Sequence, residues 1–215
     1  MCTDNRASRH THWYAPIFAR VYDPFMEKLE ARILYPRRRA LIEHLSGNIL
    51  EVGAGTGINL PLYAPQANVL AIEPSVPMLR KAQDRMTQRP VPANVRLLHA
   101  GIGDTFPVPA GGFDAIVCTL VLCTIPRPDA AVEHIKEMLA PDGQLVVLEH
   151  IAARHSGNRF LQRLINPCWK HLAEGCHLTR DTDKLLHRHG FLPKGETYFT
   201  KGLRFYQATG TFSGS

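Results

Sequence analysis

Eight residues constrain this chain more than any others: Leu50-Glu51-Val52-Gly53-Ala54-Gly55-Thr56-Gly57. An apolar run ends there, and glycines follow at alternate positions. Glycine lacks a Cβ, so it accepts the left-handed backbone of a sharp turn and lets another group lie against the main chain. A turn of this kind, closing a buried strand and opening the next helical stretch, belongs to open α/β sheets. Such sheets bind ligands outside the carboxyl ends of their strands. A dinucleotide turn needs its third glycine three places after the second. Here that place holds Ile58, and the third glycine comes one residue early, at Gly57. An acid, Glu51, precedes the first glycine. Both features argue against a pyrophosphate and for a ligand with an amino group or a sulfonium.

The rest of the chain agrees with a layered α/β sheet. Short apolar runs at Asn48–Val52, Val69–Ile72, Val95–Leu98, Ala115–Leu122 and Gln144–Leu148 read as buried strands. Val76–Met86 and Asp129–Leu139 between them read as helices, and Ala140-Pro141-Asp142-Gly143 supplies a helix stop and a turn. Strands alternating with helices imply βαβ units around a mostly parallel sheet. Glu196–Thr200 and Leu203–Gly210, joined at Lys201-Gly202 with no helix between, read as an antiparallel hairpin. Leu178–His189 reads as a helix, with Thr179 either its N-cap or part of the stretch beside it. Trp13–His44 has helical spacing and is expected to break at Pro24 and Pro36. Arg37-Arg38-Arg39 reads as a solvated helix face, with a phosphate-facing role as the alternative.

The second strand ends at Ala71-Ile72-Glu73-Pro74-Ser75. A carboxylate at that tip can accept hydrogen bonds from both hydroxyls of a ribose. In register with the glycine turn, Glu73 makes the crevice an adenosine site. Composition excludes other classes. With 45% hydrophobic and 20% charged residues the chain is not disordered in bulk. The longest apolar run, Ala115–Ile125, is too short to cross a bilayer. The N-terminus lacks the apolar stretch of an export signal, and the five cysteines are an odd number. A reducing, cytoplasmic setting with free thiols is therefore expected. The net charge of +6 reads as that of a mildly basic soluble protein, with an anionic surface as the alternative partner.

These residues resemble the class I S-adenosylmethionine-dependent methyltransferases. The resemblance implies a doubly wound, seven-stranded, mostly parallel Rossmann-like sheet. It also implies a C-terminal antiparallel hairpin and an N-terminal helical lid (residues 1–44) on a methyltransferase domain (residues 45–215). Glu51, Gly53, Gly55 and Gly57 fall on the family's glycine motif, Glu73 on its ribose acid, and Pro74 to Met78 on its helix start. Gly101, Ile102 and Gly103 fall on the adenine-edge loop; the family often has an acid where this chain has Ile102, so Asp104 or backbone groups are expected to serve there. Asn59 is placed with the cofactor residues. Three further stretches occur in order: Val117 to Thr124, Glu149 to Ala153, and Asn166-Pro167-Cys168-Trp169 with Gly175 to Arg180. They resemble the methyltransferase-like group of alkyl-thiol S-methyltransferases. The front segment from Tyr14 to Asp23 resembles the lid start of quinone and phospholipid methyltransferases, which supplies the alternative acceptor class.

The implied activity is S-methylation of a small thiol by in-line displacement, with S-adenosyl-L-methionine as cofactor. The alternative is N- or C-methylation of a phospholipid head group or an isoprenoid quinone. Thr119 and Leu120 are expected on the methyl side. His150, just past the fifth strand, is the candidate proton acceptor, because imidazole titrates in the right range. The alternative is a histidine that only orients its loop. Tyr22 is placed with the cofactor. Tyr14, Cys123, Trp169, His177 and Arg180 are placed with the acceptor; Arg180 pairing with a nearby acid is the alternative. Cys168, His171, Cys176 and His177 match no common zinc spacing, so no metal is expected. No motif for nucleic-acid methylation follows the fourth strand. A peripheral membrane contact accompanies the alternative acceptor, and the sequence assigns no oligomeric state.

Overall fold

The computed structural model describes residues 30–172, 176–201 and 203–213. The expected lid therefore lies mostly outside the described residues. A π-helical turn, Glu30–Leu34, runs into α1 (Tyr35–Ile42). Pro36 stands in the first turn of α1, where a missing N–H costs nothing. The two helical pieces thus meet beside Pro36. There follow β1 (Gly47–Val52), β2 (Ala67–Ile72), α2 (Val76–Gln88), β3 (Asn94–Leu98), β4 (Phe113–Thr119) and α3 (Pro128–Met138). The remainder is β5 (Leu139–Ile151), α4 (Ser156–Leu172), α5 (Thr182–Arg188), β6 (Phe191–Lys201) and β7 (Leu203–Phe212).

One seven-stranded sheet forms in the order β3-β2-β1-β4-β5-β7-β6. The first five strands are parallel, and β7 runs antiparallel to both β5 and β6. The doubly wound sheet and its terminal hairpin are as the sequence implies. Strand order reverses between β1 and β4, which opens a crevice beyond their carboxyl ends. Register brings the tips level there: Val52 pairs with Ile72 on one side and with Cys118 on the other.

Period-two alternation fills both faces. Leu50, Val52, Ile116, Cys118, Leu145 and Val147 pack on one side, with Val132 and Ile135 of α3 and Leu185 and Leu186 of α5. Ile49, Val69, Ala71, Val117, Val146 and Leu148 pack on the other, with Leu41 and Ile42 of α1 and Ala82 of α2. Burying one such side chain contributes about 1.5–3 kcal/mol, so the two cores carry the fold. By the same alternation, Glu51 and Thr119 face the side that α1 covers.

Three elements differ from the sequence reading. Ala140 to Gly143 is an excursion within β5: pairing with β4 begins at Phe113–Leu139 and resumes at Ala115–Gln144. Gly112 lies so close that an added Cβ would meet Ala140 N at 2.6 Å, which fixes the bulge. The helix expected over Leu178–His189 begins only at Thr182, after Asp181 rather than Thr179. Tertiary bonds use the earlier N–H groups: Leu178 donates to Asn166 Oδ1 and His177 to the Cys123 carbonyl. Helix α4 was not anticipated, because Pro167 interrupts its pattern.

Candidate functional site

The crevice is built first by backbone. Gly53, Gly55 and Gly57 have φ of 69°, 57° and 77°, so a left-handed turn leads out of β1. Gly53 and Ala54 donate to the Ile72 carbonyl, tying the turn to the tip of β2. A Cβ on Gly53 would stand 2.3 Å from Val121 Cγ2, so this glycine lets the chain after β4 come close. A Cβ on Gly55 would meet nothing nearer than 4.0 Å. The open face of the turn is therefore at Gly55.

Glu73 is buried at the tip of β2. Its Oε2 accepts from Gly55 N–H and its Oε1 from Ser75 N–H, both at 2.8 Å. Burial pushes its carboxyl up, against the pull of these N–H groups. Each oxygen keeps a lone pair for a ribose hydroxyl. Pro74 lends its carbonyl to His99 Nε2 at 2.9 Å, and Met78 is buried in α2. Gly101, Ile102 and Gly103 form the loop after β3. Asp104 Oδ2 accepts from Gly101 N–H at 2.8 Å, so Asp104 fastens its own loop, and Ile102 packs on the core.

Behind the turn lies a polar network that the sequence reading missed in part. Arg38 is not on a solvated face; it is only 4% exposed. Its Nη1 donates to Asn59 Oδ1 at 3.0 Å and to Thr119 Oγ1 at 2.6 Å. Asn59 Nδ2 donates to Glu51 Oε1 at 2.9 Å. Asn59, Thr119 and Glu51 thus sit together, with Arg38 as their cation. Charge alone could not single out Arg38 from its neighbours. The sign was its place four residues after buried Leu34 and three before buried Leu41, on the covered face of the helical segment. Burial pushes the Glu51 carboxyl up to about 7, although the Tyr63 hydroxyl, Asn59 and Arg38 pull it down. The buried Tyr63 hydroxyl stands beside the same carboxyl. Leu120, at the end of β4, holds a left-handed φ of 56°, with its N–H on the Leu148 carbonyl.

The second part of the site lies beyond β4 and β5. His150 is buried, and its Nε2 stands 2.8 Å from Cys176 Sγ. Cys176 Sγ is 3.7 Å from Cys123 Sγ. Burial pulls the His150 ring down, but its contact with Cys176, the Glu149 carboxyl and a backbone hydrogen bond together outweigh this, and the net direction is up. The hydrogen bond with Cys176, and burial after it, push the Cys123 thiol well above its usual range. Glu149 Oε1 accepts from Val121 N–H and Leu122 N–H, which holds the turn after β4. Arg180 Nη1 donates to the carbonyls of Leu122 and Ile125, so it clamps that turn, and among the described residues it forms no ion pair with an acid. His177 contributes its backbone N–H to the Cys123 carbonyl. Trp169 lies on α4, and its side chain is outside the described residues, as are Tyr14 and Tyr22.

Fold and crevice define a Rossmann-like α/β protein with an open crevice at its switch point. Residues 22–192 match the methyltransferase-domain family, and the chain belongs to it. It is 32% identical over 137 residues to Thiol S-methyltransferase TMT1B of Rattus norvegicus, covering 63% of this chain. It is 35% identical over 151 residues to Thiol S-methyltransferase TMT1A of Homo sapiens, covering 67% of this chain. The chain spans 56% and 59% of the length of these two relatives. A solved 1,6-didemethyltoxoflavin-N1-methyltransferase from Burkholderia thailandensis shares the fold with a TM-score of 0.63 at 14% identity, over 98% of this chain and 93% of that one. Among the described residues no helix is long and apolar enough to cross a membrane.

Proposed function

We propose that the protein is an S-adenosylmethionine-dependent methyltransferase whose acceptors are small thiols. The observation that carries the reading is the Gly53–Gly57 turn with Glu73 at the neighbouring strand tip, in a chain of the methyltransferase-domain family. The residues fit the cofactor. The open face at Gly55 accommodates its adenosine, Glu73 has lone pairs for the ribose, and the Glu51 carboxyl behind the turn suits its ammonium. When bound, the cofactor supplies an electrophilic methyl group on a positively charged sulfur.

The chain's own residues then have three tasks. Arg38, Asn59 and Thr119 hold the Glu51 carboxylate in place. The turn after β4, fixed by Glu149 and Arg180, walls the acceptor side and excludes water. His150 takes the acceptor's proton, because the thiolate is the reactive form and a free thiol of pKa about 8.5 is mostly protonated at neutral pH. Similarity to two thiol S-methyltransferases supports the thiol over the lipid or quinone alternative.

Mass spectrometry of a mixture of alkyl thiols, phenols, amines and quinones, incubated with the protein and methyl-labelled cofactor, tests this. The expected product is the S-methyl thioether. Label only on a quinone, amine or lipid head group, or no label at all, would overturn the thiol assignment.

A further inference from the structure

Cys123, His150 and Cys176 are far apart in sequence and come from three elements: the turn after β4, the end of β5 and the segment before α5. All are buried, and their ligand atoms lie within 4.8 Å of one another. The Cys123 and Cys176 sulfurs are 3.7 Å apart. Two sulfurs on one tetrahedral zinc, each at about 2.3 Å, stand about 3.8 Å apart. His150 Nε2, 2.8 Å from Cys176 Sγ, needs to back away by less than about 1 Å to share that ion. The frame around the three is set without any ion. Arg180 and Glu149 fix the turn that carries Cys123, and His177 N–H holds the Cys123 carbonyl.

We infer that these three residues form a zinc site whose fourth position takes the sulfur of the acceptor thiol. The inference deepens the thiol reading above and rests on it. Two thiolates and an imidazole suit zinc and disfavour magnesium or calcium. A three-ligand set with one place open is the arrangement of catalytic zinc. Among the described residues no fourth histidine, cysteine or carboxylate joins the group. Loading the ion forms two zinc–sulfur bonds and one zinc–nitrogen bond and releases the two cysteine protons to solvent. The acceptor's S–H bond then breaks, its proton leaves to solvent, and the sulfur electron pair makes the fourth bond. No oxidant or reductant takes part. The metal thereby takes over from His150 the work of keeping the acceptor sulfur deprotonated.

The full chain, purified under reducing conditions and stripped with a chelator, is titrated with Co²⁺. One cobalt per chain, a thiolate-to-cobalt charge-transfer band in the near ultraviolet and the visible bands of a four-coordinate ion are expected. Adding 1-butanethiol should strengthen the charge-transfer band, and Zn²⁺ should abolish it. Cys123→Ser, Cys176→Ser and His150→Ala should each weaken cobalt binding by at least about a hundredfold, with circular dichroism reporting which variants remain folded. Cys118→Ala, in β4 outside the cluster, should keep the band. Absence of the band, its survival in every folded cluster variant, or its indifference to butanethiol would overturn the site. So would full-rate S-methylation by the metal-free protein, which leaves the thiol reading standing. The bands without any methylated thiol would instead refute the thiol reading and leave the metal site intact.

Discussion

Arg38 has the neighbours of a guanidinium that folding has committed. It is buried and bonded to Asn59 and Thr119 beside Glu51. Arg38→Met removes two charge-assisted hydrogen bonds and leaves Glu51 buried without its cation. Urea unfolding should show a loss of about 3 kcal/mol, and a double-mutant cycle with Glu51→Gln should return part of it. Glu51 carries a pH dependence of its own. Its folded value of about 7 lies above the unfolded 4.5, so the native state holds a proton that the unfolded chain releases. Stability from this group is complete below about pH 4.5 and falls as the pH rises to about 7, by on the order of 3 kcal/mol. Urea midpoints from pH 5 to 7 should decline in the wild type and decline less in Glu51→Gln. Equal slopes would mean that Glu51 does not titrate in this window.

At the scale of the element, the glycine turn separates two kinds of constraint. Gly53→Ala and Gly55→Ala both put a side chain on left-handed backbone, at a cost of about 1–2 kcal/mol. At Gly53 the new methyl also strikes Val121, so the turn and the chain after β4 must part. At Gly55 it meets open space. Thermal melts should therefore rank Gly53→Ala as the less stable. Calorimetry with S-adenosylhomocysteine should show that Gly55→Ala, although better folded, still binds poorly, because its methyl projects into the open face proposed for the adenosine. Tight binding by Gly55→Ala would move the nucleoside elsewhere. Leu120 is the counterpart just after β4, a branched residue on left-handed backbone at the same crevice. Such strain persists only where the surroundings enforce it, and here the Leu148 carbonyl does so.

For the whole molecule, ligand binding and folding are coupled because the crevice joins β1, β2 and β4. A ligand at a hundred times its Kd adds about 2.7 kcal/mol to stability. For a chain of this size that raises the melting midpoint by about 5–10 °C. S-adenosylhomocysteine should give such a rise in the wild type, and NADH should give none. Glu73→Ala should lose most of the rise and some intrinsic stability as well, since Glu73 holds the N–H groups of Gly55 and Ser75.

Local chemistry by itself determined the sheet and the crevice at the tips of β1 and β2. Strand periodicity is written in runs such as Ile49–Val52 and Val69–Ile72, and a left-handed turn can be written only with glycines such as Gly53, Gly55 and Gly57. Both signals lie within a few residues of the structure they produce. What depended on distant segments meeting was decided by packing. The start of α5 was set by bonds to Cys123 and Asn166 rather than by Thr179. Arg38 left solvent because α1 folds over the face of β1 that carries Glu51. The Cys123, His150 and Cys176 cluster exists only because parallel β4 and β5 end side by side and the chain after α4 returns across them. No spacing along the sequence encodes that meeting, since the three ligands approach through space and not through neighbouring peptide bonds.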